Sequence, residues 1–110
     1  MATFEDFLKL DIRVGKIISA ENFDGAKRKA YKLLIDFGTE IGIKKSSAQI
    51  CEKYLAEELV GKKILAVVNF PPKQVADFMS EVLVLGTYSK GGVVLAVPDD
   101  ETAELGDKLG

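Results

Sequence analysis

The side chains able to do chemistry in this chain gather in a few short polar stretches. Asn69-Phe-Pro-Pro-Lys73 sets an amide and an ammonium on either side of a proline elbow, and Ser80-Glu81 follows seven residues later. Two successive prolines fix φ twice, so Asn69 and Lys73 can be aimed at little entropic cost. A hydroxyl beside a carboxylate does hydrolytic work only where a base activates the hydroxyl. The sequence contains no histidine, which removes Ser-His-Asp and Cys-His nucleophile pairs, histidine general bases and histidine metal ligands in one step. Ser80 and Glu81 therefore read as a polar pair at the rim of a groove. No catalytic residue, metal site or cofactor is expected, and the chain does not read as an enzyme.

Two basic clusters accompany them. Lys44 and Lys45 precede Ser46, Ser47 and Gln49, placing cations beside neutral hydrogen-bonding groups that suit either a phosphate or a peptide backbone. Lys27-Arg28-Lys29 with nearby Lys32 is the densest basic run and forms a second candidate patch for phosphates, although so short a run is equally at home on a solvated loop. Bland roles stand beside each functional one. Asn69 can close a strand end by bonding local backbone, and Lys44 to Gln49 can be a turn and cap. Phe70, Phe78, Met79 and Tyr88 are expected mostly in the core, with stacking or peptide contact as the functional reading. Asp99-Asp100-Glu101 reads as a solvated turn rather than a cation site, and the lone Cys51 as a small packing residue, since it has no partner for a disulfide or a zinc site.

The elements that must position these groups follow from periodicity. A chain of 110 residues with 47% hydrophobic residues holds one core, so a single domain over 1–110 is expected. No window approaches the roughly 18 apolar residues of a membrane helix. Acidic residues in Met-Ala-Thr-Phe-Glu-Asp stand where a secretory signal carries basic ones, and a cytoplasmic location is predicted. The net charge of −2 divides unevenly, because residues 1–63 carry 12 basic and 10 acidic side chains and residues 64–110 carry 3 and 7. A basic face can therefore exist on an acidic molecule.

Thr3 can cap a short helix that shows Phe4, Phe7 and Leu8 on one face. Residues 11–21 read as a strand bent near Gly15, with Ile12, Val14, Ile18 and Ala20 on one side. Tyr31 to Phe37 reads as a second strand. Ile41 and Ile43 alternate with Gly42 and Lys44 in a third, and Cys51 to Leu59 reads as a short helix. Ile64 to Val68 is apolar throughout and should be a central strand that Pro71 and Pro72 terminate. Val82–Leu85 and Val93–Val97 are predicted to pair as a hairpin about residues 87–92. Many short strands, glycine turns and small helices are most cheaply assembled as an all-β barrel, which hides strand edges.

Five motifs support a closer comparison. Leu10-Asp-Ile-Arg-Val-Gly-Lys16, Lys32-Leu-Leu-Ile-Asp-Phe-Gly38, Lys44-Lys-Ser-Ser-Ala-Gln-Ile50, Val67-Val-Asn-Phe-Pro-Pro-Lys73 and Ser80-Glu-Val-Leu-Val-Leu-Gly86 resemble, in that order, the CsaA chaperone family. The resemblance implies an OB-fold of the tRNA-binding-domain type, a five-stranded Greek-key barrel similar to the C-terminal domain of methionyl-tRNA synthetase. It also implies a homodimer whose contact is built by residues 1–10 and 98–110, with Phe4, Phe7, Leu8, Leu105 and Leu109 as anchors. The activity it implies is export-related chaperoning of unfolded polypeptides, in cooperation with the secretion machinery. Its groove would comprise Lys44, Lys45, Ser46, Gln49, Asn69, Lys73, Ser80 and Glu81. The alternative is a tRNA-binding module that grips the phosphate backbone. Relatives of that kind carry a basic residue and Gly-Met after the Ser-Glu pair. Here Val82-Leu83 follows it and Asp77 precedes it, which implies weaker tRNA affinity and a groove of mixed character.

Overall fold

The computed structural model describes residues 1–110. Strands β1 (Ile12–Asn22), β2 (Tyr31–Asp36), β3 (Ile43–Ala48), β4 (Lys63–Val67) and β7 (Leu83–Val84) form one antiparallel sheet in the order β3-β2-β1-β4-β7. Two small hairpins stand outside it, β5 (Lys73–Val75) with β6 (Phe78–Ser80) and β8 (Gly86–Ser89) with β9 (Gly92–Leu95). The helices are short: α1 (Phe4–Leu8) and α2 (Ala56–Leu59). Curled on itself, the sheet makes a nearly closed OB-type barrel. Ile17, Leu33, Ile35, Phe37, Leu59 and Ile64 fill it and are shut off from solvent.

The long first strand differs from its expected alternation. Between Ile17 and Ser19 its register against β2 slips by one residue, so Ile17 lies opposite Ile35 but Ser19 lies opposite Leu34. Ile17, ahead of the slip, faces the core opposite Ile35 while Ile18 turns outward, and beyond the bulge the alternation inverts, so Ala20 lies opposite the buried Leu33. Gly15 lies earlier on the same strand. It is a point of close approach, where a Cβ would lie 2.6 Å from both Ile35 Cγ2 and Phe37 Cε1.

Other boundaries move for equally local reasons. In β3 the inward residues are Ser46 and Ala48, and Ile43 is exposed. The second helix forms only over Ala56–Leu59, and its Leu59 enters the core. The predicted pairing of Val82–Leu85 with Val93–Val97 is corrected. Leu83 and Val84 pair with β4, and the hairpin partner of β9 is Gly86–Ser89, with Lys90-Gly91 as its turn. Gly91 has φ 87°, which a two-residue hairpin turn requires and glycine supplies without strain. The β5–β6 hairpin was not legible as strand. Ala76 stands at its tip with φ 53°, a conformation that sequence patterns assign to glycine or asparagine.

The C-terminal segment returns to β1. Val14 N–H donates to Asp107 O at 2.9 Å, Gly106 N–H to Val14 O at 2.8 Å and Leu109 N–H to Ile12 O at 2.8 Å. Residues 106–109 thus occupy the side of β1 that β2 leaves free before Lys16. Lys63 Nζ anchors the preceding turn by donating to Glu101 O and Ala103 O. In that turn Asp100 accepts from Thr102 N–H, and hydrogen bonds from Thr102 hold its carboxyl below the ordinary range.

Backbone pairing alone does not close the barrel. Across the gap between β3 and the segment entering β7, Glu81 N–H donates to Lys45 O at 2.8 Å, and Lys45 N–H donates to Glu81 Oε1 at 2.9 Å. Ser47 N–H donates to Ser80 Oγ at 3.1 Å, and Ser46 Oγ donates to Val82 O at 3.0 Å. Three side chains therefore supply what a strand ladder would otherwise provide.

Replacing Gly15 with alanine should destabilise the barrel by about 1–3 kcal/mol, the usual cost of forcing an extra carbon into a packed core. A urea denaturation curve with a lowered midpoint and unchanged slope is the expected result.

Candidate binding groove

A groove of about 1250 Å³ runs beside the closure. One wall is the elbow and first hairpin strand, Phe70, Pro71, Lys73, Gln74 and Val75; the other is the ribbon Val82–Val84 with Gly86 and Tyr88. The end of β3 contributes Ser47, Ala48 and Gln49, and the loop before β2 contributes Lys27 and Arg28. This space exceeds the range of about 300–1,000 Å³ typical of small-molecule sites, and it is partly open to solvent.

The residues expected in the groove divide into two kinds. Gln49, Lys73, Ser80 and Glu81 line it. Lys27 and Arg28, expected in a separate patch, line it too, since the loop carrying them folds over the end of β3. Ser46 is corrected: it is fully buried, its hydroxyl spent on Val82 O, because even-numbered residues of β3 face the barrel interior. Lys44 shares that parity, is half-buried and is absent from the groove lining. Asn69 also has work elsewhere. Its Oδ1 accepts from Asp11 N–H at 2.9 Å and its Nδ2 donates to Lys9 O at 2.8 Å, so it ties the elbow to the entry of β1. Glu81 and Ser80 line the groove while serving the closure, Glu81 through Oε1 and Ser80 through Oγ.

Lys45 points to the outer face of β3. There its ammonium lies 5.4 Å from the Phe78 ring centroid, and Lys32 Nζ lies 4.8 Å from Phe23 and 5.3 Å from Phe78. The rings themselves meet edge to face at 5.5 Å. Lys32 thus leaves the loop patch and joins Lys45 over an aromatic shelf, held there by attraction between ammonium and ring quadrupole. Lys29 is exposed and outside the groove lining.

The expectation that the apolar candidates mostly fill the core is corrected. Phe70 and Met79 are exposed, and Tyr88 is 100% exposed on the outer hairpin; Phe78 alone is half-buried. They lie on the elbow, the β5–β6 hairpin and β8, none of which contributes to the core cluster built by β1 to β4 with Ile50, Leu59, Val82 and Leu95. Cys51 is half-buried, and burial raises its thiol above the ordinary range, which keeps it a thiol rather than a reactive thiolate near neutral pH. Burial likewise pushes up the Tyr31 phenol, whose hydroxyl donates to Tyr54 O at 2.7 Å.

At the chain ends, Phe4, Phe7, Leu8, Leu10 and Leu109 surround an apolar hollow of about 240 Å³. Phe4 is 71% exposed and Leu8 is 55% exposed. Leu105 does not belong to this surface. It packs at the Gly38 turn of its own chain, where its carbonyl would meet a Cβ on Gly38 at 3.0 Å, and it is half-buried.

Barrel and groove together define an OB-type binding module. Residues 12–108 match the family described as "Putative tRNA binding domain", and the chain belongs to that family. Among solved structures it is similar to the CsaA chaperone protein from Picrophilus torridus, at 55% identity and TM-score 0.94 with all of both chains covered. It is also similar to the chaperone CsaA from Bacillus anthracis, at 54% identity and TM-score 0.92, covering 100% of this chain and 99% of that one. Methionine–tRNA ligase of Neisseria meningitidis serogroup C is 38% identical over 111 residues, 99% of this chain. The chain spans only 15–16% of the length of the methionine–tRNA ligases it matches.

Ser46→Ala should cost about 1–2 kcal/mol by removing a buried donor from Val82 O, whereas exposed Gln49→Ala should stay within about 0.5 kcal/mol. Paired urea denaturation curves check both.

Proposed function

We propose that this protein is a non-catalytic, cytoplasmic chaperone resembling CsaA, which holds unfolded, export-competent polypeptides as a homodimer and passes them to the secretion machinery. The observation that carries the reading is the groove, large and partly open, with exposed Phe70, Leu83 and Tyr88 beside Lys27, Arg28, Lys73 and Gln49. Apolar surface of that kind is adaptable, and mixed polar groups can meet a peptide backbone without demanding a sequence. Full-length similarity to two proteins named as CsaA chaperones supports the same reading.

The apolar hollow at the chain ends supports the dimer. Phe4, Leu8 and Leu109 present side chains that a solvated monomer gains nothing by exposing, and a two-fold contact would cover both copies at once. Two grooves on one assembly raise the effective concentration of the second site for a long flexible ligand.

A second reading, tRNA binding, is favoured by one specific observation. Lys32 and Lys45 converge on the outer face of β2 and β3, and neither forms an ion pair with a carboxylate. The family description points the same way. Against strong affinity stand the net charge of −2 and the carboxylates of Glu52 and Glu81 in the groove.

Two measurements test these readings. The protein should suppress aggregation of a denatured, reduced polypeptide at stoichiometric concentration, and should bind tRNA weakly, with an affinity that falls steeply as salt rises. Tight tRNA binding with no effect on aggregation would reverse the assignment. Sedimentation should give a dimer that Phe4→Glu with Leu8→Glu converts to a folded monomer; a wild-type monomer would end the paired-groove mechanism.

A further inference from the structure

The ribbon that walls the groove has a backbone edge with no partner. Leu85 N–H donates to Leu65 O at 2.9 Å and Leu85 O accepts from Ala96 N–H at 3.0 Å, so the backbone groups of Leu85 face β4 and the start of the β9 side. In an extended strand successive residues turn their N–H and C=O to opposite edges. Val84 and Gly86, on either side of Leu85, therefore turn theirs away from β4 and β9, and the same alternation carries to Tyr88 along β8. None of the hydrogen bonds outside the strand ladders involves the backbone of Val84, Gly86 or Tyr88. All three residues line the groove.

This edge is unusual because the other end of the sheet is covered. At β3 the Ser80 and Glu81 side chains occupy backbone donors that would otherwise be free. At β7 and β8 nothing does so, although an open edge ordinarily invites pairing with another chain. The edge also has room in front of it, since Phe70, Pro71 and Lys73 stand on the far wall of the groove.

We propose that an extended polypeptide binds in this groove by strand addition, pairing its main chain with the free edge at Val84, Gly86 and Tyr88. The proposal rests on the polypeptide-holding reading and deepens it by naming the mode of recognition. Main-chain pairing needs no particular sequence, and the exposed Tyr88 and Leu83 offer apolar contact to alternate side chains of the guest. The charge at this position is mixed. Lys27, Arg28 and Lys73 share the groove with Glu52 and Glu81, so a phosphodiester chain would meet two carboxylates while a neutral backbone meets none of that repulsion.

The test uses the intact protein and a short peptide capped at both ends, alternating valine and threonine, with two further versions N-methylated on the valines only or on every residue. Strand addition through one edge uses the N–H groups of alternate residues. The version methylated on every residue should therefore bind at least tenfold more weakly than the parent, and the version that keeps its threonine N–H groups should bind nearly as well, because slipping by one residue presents them to the edge. Amide hydrogen exchange should slow at Val84 and Gly86 when the parent peptide is bound. Equal affinity for all three peptides, with unchanged exchange at those amides, would overturn strand addition while leaving a side-chain-reading chaperone intact. Failure of the parent peptide to bind would sink the proposal and the chaperone reading together.

Discussion

The structure depends on one clasp. A five-stranded sheet curled into a barrel must bring its first and last strands together, and here β3 and the segment entering β7 meet through Ser46, Ser80 and Glu81 rather than through a ladder. Each bond satisfies a backbone group at the seam, where an unpaired N–H or C=O would be costly once desolvated. The exchange between Lys45 and Glu81 uses both the amide and the carboxylate of Glu81, so this residue is bound twice to one strand position. Without the clasp, the core around Leu33, Ile35 and Ile64 would open along that line.

Closure by side chains has a geometric consequence. A ladder would draw β3 and β7 together along their whole length, whereas a clasp holds them at one place and lets them diverge. The space beyond is the groove, floored by Ser47 to Gln49 and walled by the elbow with β5 on one side and by β7 running into β8 on the other. The polar residues that look most reactive in the sequence are thus the ones that create the site by holding its floor. The cations divide accordingly. Lys27, Arg28 and Lys73 border the groove, while Lys32 and Lys45 lean on Phe78 on the outer face.

Much of this was legible in the sequence, and the misses share a cause. The strands β1, β2 and β4 carry strong apolar patterns, and the barrel followed from them together with the glycine turns. The bulge at Ile17–Ser19 escaped because a one-residue slip leaves no mark in composition, only in which residues beyond it face inward. Ser46 escaped because a buried serine looks like a surface serine until its partner, the distant Val82 carbonyl, is known. The placement of Lys73 and Gln49 beside the groove could be read from position near the elbow and the strand end. The joining of Lys27 and Arg28 to them could not, since it depends on how a loop of eight residues, Phe23 to Ala30, folds across β3. The β5–β6 hairpin hid for the same reason, as its turn uses Ala76 at positive φ.

Asn69 connects the groove to the chain ends. Its amide holds Lys9 O and Asp11 N–H, between α1 and β1, while the next residues, Phe70 and Pro71, are groove wall. The prolines stiffen the wall, and the two hydrogen bonds fix it to the base of the helix that carries Phe4, Phe7 and Leu8. Any pairing of subunits through that helix would therefore set the direction of the groove wall as well as the spacing between the two grooves. A long ligand would meet two walls in a fixed relation, with no flexible linker to order on binding. The gain from two-site attachment would then come from preorganisation of the barrel itself.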